Sequence, residues 1–285
     1  MFGACGLGLL AAMWLSAGAA SETHVQGVAL YKAHQYAGAI AALEKSVQRE
    51  AAGSPEYNES VLLIGQSYFM LSRAPQAIPW LEKAPGINEA NYMLGYAYIQ
   101  AAQPAKSEAA FARLFGVPAD SARGHLVAGR MLLKKEYREE ATSEVNQALK
   151  LDANLPQAHF LLGEMAIGRG QVDTAIAEFN HELEIDPGSS MAWYRLGDAY
   201  ARKDDCAAAV PSLQRAIWLN TDFSGPFILL GKCYLKQNNL ANAEGILRNA
   251  LVLDPQNREA QYLLGRTLAA AGRKDEANTI LDKLK

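Results

Sequence analysis

The sequence predicts an all-α fold, a solenoid of antiparallel helix pairs, on three observations. Glycine falls at Gly95, Gly129, Gly163, Gly197, Gly231 and Gly265, each 34 residues after the last. Between these glycines the apolar residues follow the 3.6-residue period twice, interrupted by turn signals such as Gly168-Arg169-Gly170 and Ala271-Gly272-Arg273-Lys274-Asp275. Units close on helix stops, as in Ile185-Asp186-Pro187 and Leu253-Asp254-Pro255, where proline cannot continue the preceding helix. A fixed period of this length marks an array of hairpins, none of which can bury its apolar face without a stacked neighbour.

Each unit reads as a first and a second helix. The first carries the glycine, preceded by Leu94, Ala128, Leu162, Leu196, Leu230 or Leu264. The second carries a small residue twelve positions after the glycine: Ser107, Ala141, Ala175, Ala209, Ala243 or Ala277. Sixteen positions after the glycine comes an apolar anchor, Phe111, Val145, Phe179, Leu213, Leu247 or Leu281, and Ala148, Ala216 and Ala250 fill the next small position in three units. Small residues let the two backbones approach, and the anchors fill the gap that remains.

A 34-residue unit with Trp193, Leu196, Gly197, Tyr200, Ala209, Leu213 and Ala216 resembles the tetratricopeptide repeat. The resemblance implies a right-handed superhelical solenoid of about eight such repeats, near 20–57, 58–87, 88–121, 122–155, 156–189, 190–223, 224–257 and 258–285. The first two are less regular. Gly27 goes with Leu30, Ala39 and Leu43, and Gly65 with Tyr68, Ala77, Leu81 and Ala84, with glycine steps of 38 and then 30 residues. The last repeat ends in Asp282-Lys283-Leu284-Lys285 with no solvating helix after it. Exposure of Leu281 and Leu284 there would offer a docking or homodimer surface, and fraying of a short last helix is the plain alternative.

Residues 1–20 read as an export signal. Leu7 to Leu15 is apolar but too short for a comfortable membrane span, and Ala17-Gly18-Ala19 supplies a small-residue cleavage site, with cutting after Ala19 or Ala20. No Lys or Arg lies among the first five residues, which leaves an uncleaved anchor or a misplaced start codon as alternatives. Membrane contact is expected only if this segment stays on. Cys5 precedes the apolar run, so it is not placed as a lipidated cysteine. The expected location is the periplasm or cell envelope.

The charge balance, 27 basic against 30 acidic residues for a net charge of −3, supplies no basic stripe for a phosphate backbone, and nucleic acid is not an expected partner. With half of its residues hydrophobic the chain has ample material for a core. No phosphate-binding glycine loop, nucleophile elbow or paired-carboxylate motif occurs, so no enzyme, cofactor or metal is expected. His24, His34, His125, His159 and His181 do not stand at metal-ligand spacing, and His125 and His159 share the column that Trp193 and Phe227 fill, as packing residues. Cys206, opening a second helix, and Cys233, late in the next first helix, are expected close together, either as a disulfide joining two repeats or as two buried thiols.

The resemblance implies that first helices line a concave groove. The column three before each glycine holds Leu62, Tyr92, Leu126, Phe160, Tyr194, Ile228 and Tyr262. The column after it holds Gln66, Tyr96, Arg130, Glu164, Asp198, Lys232 and Arg266. Aromatic and arginine side chains carry most of the energy in peptide recognition, which makes Tyr92, Tyr96, Arg130, Phe160, Tyr194, Lys232, Tyr262 and Arg266 the candidate contacts for a protein or peptide partner. The plain alternative is that part of this ladder packs between repeats. A family subclass grips carboxylate tails with Lys in the first column and Asn in the second; this chain has neither. The expected function is a non-catalytic binding scaffold, with self-association as the second reading.

Overall fold

The computed structural model describes residues 21–84 and 86–284; the expected signal segment lies outside them. Among the described residues every regular element is helical, and no helix is long and apolar enough to cross a membrane. The chain divides between Met131 and Leu132 into two compact units. In the first, α1 (Glu22–Lys32) pairs with α2 (Tyr36–Val47), α3 (Pro55–Met70) with α4 (Ala74–Leu81), and α5 (Asn88–Gln100) with α6 (Pro104–Leu114). The division falls inside α7 (Ala122–Lys134).

In the second unit α8 (Arg138–Leu151) packs on α9 (Ala158–Gly168), which pairs with α10 (Val172–Ile185). Then α11 (Ser190–Arg202) pairs with α12 (Cys206–Leu219), α13 (Ser224–Lys236) with α14 (Leu240–Leu253), and α15 (Arg258–Ala270) with α16 (Lys274–Leu281). The first helices also meet one another, α11 against α13 and α13 against α15. Each unit is therefore a stack of helix pairs, with one continuous face made by first helices in the second unit.

Local chemistry sets the helix ends. Ser54, Ser189 and Asn257 each accept from the backbone N–H three residues on, which satisfies one of the donors a helix start leaves unpaired. Ser54 followed by Pro55 starts α3 ahead of Asn58, where the repeat register alone would put it. Within each hairpin one residue takes the left-handed conformation: Ala102, Glu136, Gly170, Asp204, Asn238 and Gly272, again at steps of 34. The next N–H then reaches back five residues, as Gln103 N to Tyr98 O at 2.7 Å and Asp205 N to Tyr200 O at 3.0 Å, and closes the end of the first helix.

The core follows the glycine-to-anchor spacing. A Cβ on Gly95 would stand 2.2 Å from Phe111 Cε1, on Gly163 2.5 Å from Phe179 Cε1, and on Gly231 2.5 Å from Leu247 Cγ. Phe111, Phe179, Leu213 and Leu247 are wholly buried. Leu281 and Leu284, at the end of the chain, are half-buried.

This close approach decides the sign of a glycine substitution. Alanine is the better helix former by about 1 kcal/mol, so Gly245→Ala in α14, where nothing lies within 4 Å of the added methyl, should stabilise the fold by about that amount. Gly163→Ala should instead destabilise it by about 1–3 kcal/mol, because the buried Phe179 ring has no room to give way. Urea denaturation of the two variants beside the parent chain checks both signs.

Candidate peptide-binding face

The first-helix face of the second unit is built on α9, α11, α13 and α15. Phe160 on α9 is half-buried and leans on the anchor Phe179, ring centroids 5.8 Å apart. Tyr194 on α11 is half-buried and meets Phe223 edge-on at 5.0 Å. Tyr262 on α15 is 48% exposed, and the Arg266 guanidinium lies 5.9 Å from its ring centre. Lys232 on α13 and Arg266 on α15 occupy the same column one repeat apart, both exposed.

The charges on this face are not equivalent. Glu164 accepts from Arg195 Nη2 at 3.0 Å, across from α9 to α11. Asp198 accepts from Arg202 Nε at 2.9 Å, one turn along α11. Lys236 at the end of α13 pairs with Asp204. Lys232 and Arg266 form no ion pair with a carboxylate among the described residues. Two acids of the column are thus satisfied internally, while its two cations face solvent unneutralised. Burial raises the Glu164 carboxyl above its ordinary range, with Arg195 opposing the shift. Burial, then the nearby Asp198 charge, raises the Tyr194 hydroxyl, and Glu259 adds to it.

Of the eight residues expected to contact a partner, Phe160, Tyr194, Lys232, Tyr262 and Arg266 are gathered on this face. Tyr92, Tyr96 and Arg130 belong to the first unit. Tyr92 is half-buried and packs edge-on against Tyr96 at 4.9 Å; Arg130 is exposed. Tyr96 departs from the expectation. It is 2% exposed, its ring lies against Phe111, and its hydroxyl donates to the Met131 carbonyl at 2.9 Å, so in this structure it is a core residue. At Tyr96 the column turns inward because an aromatic ring gains more by burial beside Phe111 than the charged side chains that fill it in the second unit would.

Sequence reasoning missed Glu182. It is 1% exposed, and its carboxylate accepts from Gln157 N at 2.7 Å and Phe160 N at 3.2 Å. A side chain of α10 therefore caps the start of α9, where Gln157 holds a left-handed conformation, and fixes the backbone that carries Phe160. One signal was available: Glu182 stands in the column that Ala148, Ala216 and Ala250 fill.

Cys206 and Cys233 are buried in one cluster with Ala209, Leu213 and Leu230, and stand as free thiols in this structure. Burial, reinforced by hydrogen bonding to Cys206, pushes the Cys233 thiol up. His24 is buried, with Nδ1 2.9 Å from Ser60 Oγ and Nε2 3.2 Å from Glu59 Oε2. His125 lies 3.2 Å from Glu108. His159 and His181, which sequence spacing did not pair, have ring centroids 5.3 Å apart.

Similarity to known proteins agrees with this geometry. Tetratricopeptide repeat family profiles match residues 24–91, 136–190, 192–223 and 234–285. No curated protein matches the sequence. Among solved structures, YrrB, a TPR protein with an unusual peptide-binding site, is 23% identical with a TM-score of 0.55, covering 61% of this chain and 90% of its own. The MamA protein is 25% identical with a TM-score of 0.55, covering 59% of this chain and 91% of its own. PilF of Pseudomonas aeruginosa is 16% identical with a TM-score of 0.56, covering 70% and 90%. With its repeat period, its glycine-to-anchor packing and these profile matches along both units, the chain belongs to the tetratricopeptide repeat family.

Proposed function

We propose that the chain is an exported, non-catalytic scaffold that holds acidic peptide segments of partner proteins on the first-helix face of its second unit. The observation that carries this reading is the unneutralised pair Lys232 and Arg266 beside the exposed Tyr262, on a face whose acids Glu164 and Asp198 are already paired. A ligand carboxylate there meets two cations without displacing an internal ion pair, and the tyrosines offer rigid contact area at low entropic cost. The apolar run from Leu7 to Leu15 with its small-residue site supports export.

Fluorescence anisotropy with a labelled twelve-residue peptide of alternating Glu and Leu, beside the same peptide with Lys in place of Glu, tests the binding reading. The acidic peptide should bind more tightly, and the Lys232→Glu, Arg266→Glu double variant should weaken it by about tenfold or more, with the effect fading as salt rises. Equal affinity for both peptides, or unchanged binding by the double variant, overturns the acidic preference. Fractionation of the source cell with an antibody to the chain tests export; recovery from the cytoplasm alone overturns it.

A further inference from the structure

A cavity of about 620 Å³ opens in the second unit between the α8–α9 connection and the end of α10, lined by Asn154, Pro156, His159, His181 and Glu184 among others. The two imidazoles on its wall come from different helices, His159 from α9 and His181 from α10. Their ring centroids are 5.3 Å apart with planes inclined by 39°. Each has a carboxylate at Nδ1: Glu178 Oε2 lies 2.8 Å from that of His159, and Glu184 Oε2 lies 3.5 Å from that of His181.

An ionised carboxylate can only accept, so Nδ1 of His159, hydrogen-bonded to Glu178, carries the hydrogen, and in the neutral ring the lone pair is left on Nε2; Glu184 stands too far from His181 Nδ1 to hydrogen-bond to it. Neither Nε2 has a hydrogen-bond partner among the described residues. A carboxylate on one ring nitrogen and a free lone pair on the other is the arrangement that orients a metal-ligating histidine and raises its basicity. Here it occurs at His159, with the second imidazole, His181, across the same cavity and the negative charge of Glu178 and Glu184 close by. His24, by contrast, spends both ring nitrogens on Ser60 and Glu59.

We propose that His159 and His181 form a two-histidine site for a borderline divalent transition metal, the class of Zn²⁺, Ni²⁺ and Cu²⁺ that imidazole suits. The ligand atoms are the two Nε2 nitrogens, Glu178 is the positioning residue, and water in the cavity completes the coordination. The metal ties α9 to α10 at the edge of the helix pair that presents Phe160. This site stands on its own geometry and is independent of peptide binding.

Calorimetric titration of the untagged chain with ZnCl₂ is the test, together with nitrogen-15 spectra of the histidine rings. One equivalent of Zn²⁺ should bind, with the largest shifts at Nε2 of His159 and His181. His181→Ala removes a ligand from an exposed position without disturbing the core, and should weaken binding by about tenfold or more, with unchanged helicity. Glu178→Gln keeps both ligands and should still weaken Zn²⁺ by about 10–100-fold, the usual effect of losing a carboxylate behind a metal-bound histidine. Absence of stoichiometric binding, shifts at Nδ1 in place of Nε2, or parent-like affinity in His181→Ala overturns the site.

Discussion

Replacing Phe179 with alanine should lower the stability of the second unit by about 3–5 kcal/mol, the range for emptying a buried aromatic site. The ring is wholly buried and fills the space that the absent side chain of Gly163 leaves open. It packs with Leu183, Ala192, Leu196 and Ala199, so the cavity would open between one helix pair and the next. Because a repeat array holds together through nearest-neighbour interfaces, the loss should be concentrated in α9 to α11, not spread evenly. Urea denaturation measures the total, and amide hydrogen exchange should show protection lost first in α9 and α10. A uniform loss of protection over both units would contradict this account. Phe160 leans on the same ring, so the variant should also weaken acidic peptide if that face binds it.

Glu182→Ala should cost about 1–3 kcal/mol, since it removes a buried charged acceptor that serves two backbone donors at the start of α9. The donors are Gln157 N and Phe160 N, and the carboxylate that serves them is 1% exposed. Alanine is nonetheless the residue found at this place in three other repeats, so a comparison of sequence columns alone would rank the change as harmless. Thermal denaturation decides between the two views. Glu182→Gln retains an acceptor for one of the two donors and should recover part of the loss; a Glu182→Ala chain as stable as the parent would mean that the cap is not needed.

Glu182 marks the limit of what a column of residue types conveys. Its column was visible as a run of small residues, and the glutamate as an exception to it, but an exception does not say what a carboxylate reaches. The same limit applies to the hairpin turns. Gly170 and Gly272 announce a left-handed residue, whereas Ala102, Glu136, Asp204 and Asn238 hold that conformation with no glycine to signal it. There the stacked helices on either side impose the turn, and the cost of a left-handed side chain is absorbed by the hydrogen bonds that close the helix.

The sequence by itself determined the fold class and its register. A 34-residue step of glycines, with anchors sixteen residues on, requires paired helices in close contact, and in the structure Gly95, Gly163 and Gly231 each abut the anchor at that spacing. It also identified Phe160, Tyr194, Lys232, Tyr262 and Arg266 as members of one helix face. Only the tertiary structure decided that Tyr96 turns inward, that Glu164 and Asp198 are neutralised while Lys232 and Arg266 are not, and that His159 meets His181. The physical reason is that periodicity along one helix specifies the side on which a residue lies. Which neighbour it meets there depends on side chains brought from other helices, and those meetings settle burial, pairing and the charge left free for a partner.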